Sequence, residues 1–284
     1  MTNVDQFESV FRSAAKELYV QKPIEISRVL CLHDLEKEDS EALGASVRNF
    51  LAPLSQLQLE LFSAVEIADI EALEAKVQER KPDLIVTYRG LRSSGWRHRK
   101  SLGERLEVLT QSTPFPVLVI PHPKAEESWI VHTPKPTGVM AITDHLVGET
   151  RLVDWAGLFA QAFDGKLLLA HIEDHAVFER YIDAISKIPS IDTELARESI
   201  EAQLLKEPRD WVESCRQALS GQANPVETRG IVRMGKRLEE VRGLIDENGI
   251  QLLVMNTKDH EQLAMHGLAY PLAVELRDIA ILML

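Results

Sequence analysis

The sequence predicts an α/β protein made of two tandem parallel-sheet domains, the first of them lacking its first strand. Three observations carry this. Short apolar runs alternate with longer amphipathic segments, the order of elements in the first half recurs in the second, and a proline-dense stretch separates the halves. Strand–helix alternation builds βαβ units and hence a parallel sheet. At 284 residues, 45% hydrophobic and 27% charged, the chain has room for two domains of ordinary globular composition.

The strand candidates of the first half are Ser27-Arg-Val-Leu-Cys-Leu-His33, Leu57-Gln-Leu-Glu-Leu-Phe62, Asp83-Leu-Ile-Val-Thr87 and Pro116-Val-Leu-Val-Ile120. Those of the second are Gly138 to Asp144, Lys166 to His171, Val226 to Val232, Ile250 to Met255 and Ala280 to Leu284. Most are nearly continuous in apolar character, as strands covered on both faces are. Helical patterns lie between them, such as Ile70 to Val77 and Leu238 to Ile245.

The first half opens directly with a helical pattern, about Gln6 to Leu18, and no strand candidate precedes it. The second opens with the strand ending in Asp144, followed by a helix from about Glu149 to Phe163. It also carries an insertion at about 174–221, whose Pro189 and Pro208 predict two or three helical pieces. Phe178, Tyr181 and Trp211 are available to pack that insertion onto the sheet or around a cavity.

Particular segments recur. Leu30-Cys-Leu-His33 reads like Leu168-Leu-Ala-His171, and Lys81-Pro-Asp-Leu-Ile-Val86 like Gly249-Ile-Gln-Leu-Leu-Val254. Gly103 precedes Val117 by 14 residues, as Gly267 precedes Ile281. Repetition of order and spacing marks two copies of one unit. The boundaries that follow are residues 1–121, a proline-rich connector at 122–137, and residues 138–284.

Composition narrows the partners. With 32 basic against 44 acidic residues, a formal charge of −12, the chain is poorly suited to nucleic acid or an anionic membrane. The acidic, polar start does not read as a secretory signal, so none is expected, and no run approaches the ~18 apolar residues of a membrane span. Two cysteines, Cys31 and Cys215, fit a reducing compartment, so a cytoplasmic location is expected.

Val139-Met-Ala-Ile-Thr-Asp144, the Leu169-Ala-His-Ile172 strand end, Asp83-Leu-Ile-Val86, and Gly103 leading a helix into Pro116 to Ile120 together resemble the universal stress protein family. No piece is specific alone; their order and spacing, found twice, carry the resemblance. It implies Rossmann-like domains of the adenine nucleotide alpha hydrolase-like kind, with strand order 3-2-1-4-5. It also implies that the two domains pair through their last strands. Without its first strand, the first sheet would have a gap at its middle. Either its second and fourth strands close up, or Ser128 to Thr133 returns to fill the gap. The long return path favours closure.

ATP-binding members of that family carry an aspartate at the end of the first strand and a G-x-x-G-x9-G-S/T loop after the fourth. Glycines let backbone N–H groups approach phosphate, and a helix N-terminus favours the anion. In the first half Gly90 and Gly103 match, but Ser93 stands at the second glycine and Glu104 at the hydroxyl. In the second, Asp144 and Ile172 match the adenine side and Gly267 the third glycine. There Val254, Thr257 and Leu268 replace the other loop residues. Each copy thus retains a different part of the site. The ligand-binding candidates are Asp144, Ile172, Gly267, Gly90 and Gly103. No cofactor is expected, the alternative being ATP or AMP.

Other clusters have simpler explanations. His171, Asp174 and His175, with His145, suit a metal only if the strand ends converge on one point; cleft-mouth polar residues are the simpler account. His260 and His266 read as loop residues. Cys31 and Cys215 lie in apolar patterns that favour structural thiols over nucleophiles. The basic run from Arg89 to Lys100 reads first as a solvated loop and second as a contact for phosphate or an acidic surface.

The chain is therefore expected to be a non-enzymatic stress-response binding module, regulatory or protective, that does not bind ATP in the usual way. The alternative is a nucleotide-binding protein with an altered phosphate loop, slow turnover and its site in the second domain. Expected partners are its own second domain through the terminal strands and a small ligand in the second-domain cleft, with self-association into a homodimer left open.

Overall fold

The computed structural model describes residues 18–54, 57–93, 101–124, 130, 135–142, 147–257 and 268–284. The helical pattern predicted at Gln6 to Leu18 lies outside them except for Leu18, and Trp129 and His132 also lie outside.

All nine predicted strands form: β1 Arg28–His33, β2 Gln58–Ser63, β3 Leu84–Tyr88, β4 Val117–Ile120, β5 Gly138–Ile142, β6 Lys166–Asp174, β7 Thr228–Gly235, β8 Leu252–Met255 and β9 Ala280–Met283. They make one sheet in the order β2-β1-β3-β4-β9-β8-β5-β6-β7. Every residue of β3, β4, β5, β8 and β9 is buried, which is what their unbroken apolar runs require. The edge strands β2 and β7 are mostly only half-buried, and their sequences alternate more.

Pairing is parallel everywhere except at the centre, so the sheet is mixed. There β4 and β9 run antiparallel, with Val117 opposite Met283, Leu118 opposite Leu282 and Val119 opposite Ile281. That one reversal sends the C-terminal ends of β1–β4 to one end of the sheet and those of β5–β9 to the other. The second half has five strands, in the order β7-β6-β5-β8-β9 from the edge inward. The first half has four, with β1 bonded directly to β3: Val29 faces Leu84, Leu30 faces Ile85 and Cys31 faces Val86. No strand lies between them. Of residues 128–133, only Ile130 is described, and it sits in a turn whose carbonyl accepts the Ser46 hydroxyl at 2.9 Å.

Helices cover both faces. In order they are α1 Lys37–Leu51, α2 Ile70–Arg80, α3 Glu104–Ser112, α4 Thr150–Ala162, α5 His175–Ser186, α6 Thr193–Ser220, α7 Arg237–Asn248 and α8 Ala269–Glu275. Asp69 starts α2 by accepting the Ala72 N–H at 2.9 Å, and Asp192 starts α6 by accepting those of Glu194 and Leu195. The insertion is thus two helices, α5 and α6. Pro189 lies between them, but Pro208 does not divide α6, which runs unbroken for 28 residues. Proline removes one helical hydrogen bond. Here Leu205, Pro208, Trp211 and Val212 are all buried, and packing outweighs that local cost. Phe178 is buried as well, whereas Tyr181 stays exposed. At Gly230 of β7 a Cβ would sit 2.0 Å from Val212 Cγ1, so the absence of a side chain sets how closely α6 approaches the sheet.

The chain entering β1 is tied to the other half of the sheet. The Tyr19 hydroxyl donates to Asp154 Oδ1 of α4 at 2.7 Å, and the Lys22 N–H donates to the same oxygen at 3.1 Å. The Tyr19 N–H donates to Ser214 Oγ at 2.8 Å, and its ring meets Trp211 edge-on at 6.1 Å. Both anchors, Ser214 and Trp211, are on α6. The buried apolar side chains of the two halves form one contiguous core.

Candidate functional site

Loops follow the C-terminal ends of parallel strands, and those ends are where ligands bind in open α/β sheets. The central reversal places two such edges at opposite ends of this molecule.

At the first, β1 ends in His33 and Asp34, β3 in Tyr88, Arg89 and Gly90, and β4 leads to His122. The Tyr88 hydroxyl donates to Asp34 Oδ1 at 2.6 Å and accepts the Asp34 N–H at 2.9 Å. Asp34 Oδ2 accepts the Arg92 backbone N–H at 2.5 Å. Burial and the Asp34 carboxylate both push the Tyr88 phenol up, so it remains a donor. The His122 ring lies edge-on to Tyr88 at 4.8 Å, and burial pushes its pKa down to about 4 against the pull of Asp34. Burial likewise lowers His33, whose Nδ1 accepts the Leu35 N–H at 3.3 Å.

Gly90 and Gly103 come together here. Gly103 has φ +91°, and a Cβ on it would lie 3.1 Å from Gly90 Cα, so the two glycines clamp the base of the intervening loop. The Gly90 N–H is used by Leu102 O at 3.1 Å and the Ser93 N–H by Gly90 O at 2.8 Å. With Arg92 donating to Asp34, three N–H groups of this loop are satisfied internally. Phosphate-cradling loops instead aim such groups at the ligand. Glu104, the residue expected to oppose a phosphate, is exposed on the first turn of α3. Among the described residues, the anion that meets the start of this loop is Asp34. Its signal was present in the repeat: Asp34 follows Leu30 to His33 as Ile172 follows Leu168 to His171.

At the other edge Ile172 is buried on β6, and its carbonyl accepts Arg237 Nε–H at 2.9 Å. Asp144 and Gly267 lie outside the described residues, as do His145, His260 and His266. Thr257, standing where a glycine was expected, is buried. Its N–H donates to Leu284 O at 3.1 Å, and its hydroxyl lies 2.9 Å from Leu284 O and 3.2 Å from Thr110 O of α3. Asn256 donates to Glu149 Oε2 at 2.7 Å. The turn after β8 therefore begins by packing onto the junction of the halves. Gly90 and Gly103 sit at one end of the sheet and Ile172 at the other; they do not share a site.

His171, Asp174 and His175 do not converge. His171 Nε2 pairs with Glu173 Oε1 at 2.8 Å, Asp174 Oδ1 accepts the Ala176 and Val177 N–H groups that start α5, and His175 is exposed beside Glu179. Among the described residues no group of three or more His, Cys, Asp or Glu could hold a metal ion. Both cysteines are buried and unpaired, and burial raises each thiol to about 12, far from a thiolate nucleophile. No described helix is long and apolar enough to cross a membrane.

Residues 138–266 match the model of the universal stress protein family. A universal stress protein from Archaeoglobus fulgidus DSM 4304 superposes with a TM-score of 0.52 at 10% identity, over 92% of this chain and 96% of that one. A protein of unknown function from Pseudomonas aeruginosa PAO1 superposes with a TM-score of 0.50 at 12% identity, over 91% and 92%. No curated protein matches. The chain shares its overall fold with these structures, and the sequence match to the family falls on residues 138–266.

Proposed function

We propose that this chain is a non-enzymatic tandem universal stress protein, a regulatory or protective binding module of the stress response that does not take ATP in the usual way. Its two domains are residues 1–121 and 138–284, joined by 122–137, and the first has dispensed with its first strand. The observation that carries this reading is the internal occupation of the first phosphate-loop equivalent, where Asp34 takes the Arg92 N–H. A carboxylate in that position repels a phosphate and removes a donor from it. The lost strand also removes the adenine-side aspartate from that half.

Any small ligand of the usual kind would then belong to the second domain, near Asp144, Ile172 and Gly267. One observation keeps a second reading, ATP or AMP binding in that cleft, in play: the family match falls on 138–266, the half that retains those residues. Mass spectrometry of small molecules released from purified protein separates the two. The first reading expects no stoichiometric adenine nucleotide. Recovered ATP or AMP, with loss of it in Asp144→Ala, would replace it with the second.

A further inference from the structure

Two histidines at the first sheet edge carry the same local device. His33 ends β1, and its Nδ1 accepts the N–H of Leu35, two residues on, at 3.3 Å. His122 follows β4, and its Nδ1 accepts the N–H of Lys124, again two residues on, at 3.1 Å. The first bond holds the chain just ahead of α1, and the second holds the start of the connector at 122–137. β1 and β4 flank β3 in the sheet, so the two histidines lie at neighbouring strand ends with Tyr88 on the strand between.

Each bond exists in one protonation state only. A neutral imidazole has a single acceptor nitrogen, and here that nitrogen is Nδ1; the imidazolium has two donors and no acceptor. A proton on Nδ1 therefore breaks the bond to Leu35 or Lys124 outright. Burial opposes that proton at both rings. Among the described residues, the charged and titratable groups that face them are Asp34 after β1, Glu66 in the turn after β2, Tyr88 of β3 and Lys124 after β4. Asp34 and Glu66 favour a proton on His33, and Asp34 favours one on His122 while Lys124 opposes it. The Tyr88 hydroxyl is taken by Asp34 at 2.6 Å, and the Arg92 guanidinium is turned to Ile67 O at 2.6 Å. Asp34 thus pulls on both rings while it holds the Arg92 backbone N–H.

We propose that His33 and His122 form an acid-released latch on the first half: when their rings take up protons, the bonds to Leu35 and Lys124 break, freeing the chain ahead of α1 and the start of the connector between the halves. Opening returns a ring to its ordinary proton affinity, so acid favours opening wherever the open form binds the proton and the closed form does not. For His122 that window runs from pH 6.5 down to about 4. Within it the opening constant rises about tenfold for each pH unit, because one proton is taken up per opening. Above about pH 7 both forms hold a neutral ring, and the latch is at full strength.

The test is amide hydrogen exchange of the full chain, followed residue by residue by NMR from about pH 7.5 to about pH 4.5, on wild type, His33→Asn and His122→Asn. Asparagine carries an oxygen on Cγ where histidine carries Nδ1, so it accepts the same N–H and does not titrate. After correction for the pH dependence of chemical exchange, protection of the Lys124 N–H in wild type should fall about tenfold per pH unit below 6.5 and stay level in His122→Asn. Protection of the Leu35 N–H should likewise fall with acid in wild type and stay level in His33→Asn. Wild-type protection that holds level until the whole fold melts, as seen by circular dichroism on the same samples, would overturn the latch. So would a fall that persists in the asparagine variants, which would assign it to another group. Should a variant fail to fold, the wild-type imidazole resonances decide: protection lost in step with titration of its own ring supports the latch, and titration that leaves protection unchanged overturns it.

Discussion

Asp34 accepts from the Tyr88 hydroxyl with one oxygen and from the Arg92 backbone with the other, so it fixes the start of the loop as well as charging it. Hydrogen bonds to a charged group contribute ~1.5–3 kcal/mol each, less where water competes. Asp34→Ala should therefore lower unfolding free energy by ~2 kcal/mol in urea denaturation, and Asp34→Asn by less. Nearby, His122 has a pH signature. Its folded pKa is about 4 against an ordinary 6.5, because burial disfavours the imidazolium. Above pH 6.5 both folded and unfolded states hold it neutral and its contribution is complete. As pH falls from 6.5 towards 4 the unfolded state binds the proton first, and stability is lost. The loss attributable to this residue is at most ~3 kcal/mol. Urea midpoints of wild type and His122→Gln should diverge across that window and run parallel above pH 7. Neither role could be read from the sequence. An aspartate after a strand looks the same whether it faces water or a backbone N–H, and a histidine beside prolines gives no sign of the tyrosine it packs on.

The strands were legible because burial on both faces demands unbroken apolar runs, and chains rarely contain such runs by accident. Their ends were less so. β6 runs on through Glu173 and Asp174 because β7 continues beside it, pairing Asp174 with Gly235; polar residues there gave no hint of a strand. Helix α6 shows the same limit from the other side, since Pro208 is a local signal overruled by distant packing. That packing can be measured. In Gly230→Ala the new methyl would collide with Val212 Cγ1, and overpacking of this kind costs ~1–3 kcal/mol. Val212→Ala in the same chain should recover part of the loss. If the double variant is no better than the sum of the singles, the close approach of α6 to β7 is not the cause.

Across the whole molecule, the repeat visible in the sequence becomes one nine-stranded sheet, joined where the last apolar runs of the two halves pair. Leu282 is fully buried at that junction opposite Leu118. Leu282→Lys should cost ~4 kcal/mol or more and promote aggregation, by burying an unpaired charge and unmaking a strand edge. Unchanged stability and solution mass would mean that the halves do not depend on this pairing. The strap from Tyr19 to Asp154 was invisible beforehand, because it joins residues 135 apart that share no pattern. The candidate site was legible only as fragments. The glycines at 90 and 103 pointed to a loop, while the carboxylate that meets its start emerges only from the fold. The claim that joins these levels is that a stress-protein fold has been kept while its usual ATP site has not. Calorimetric titration of the intact chain with magnesium ATP tests it most directly. The account predicts no saturable heat up to millimolar nucleotide; a stoichiometric isotherm with a micromolar dissociation constant would contradict it.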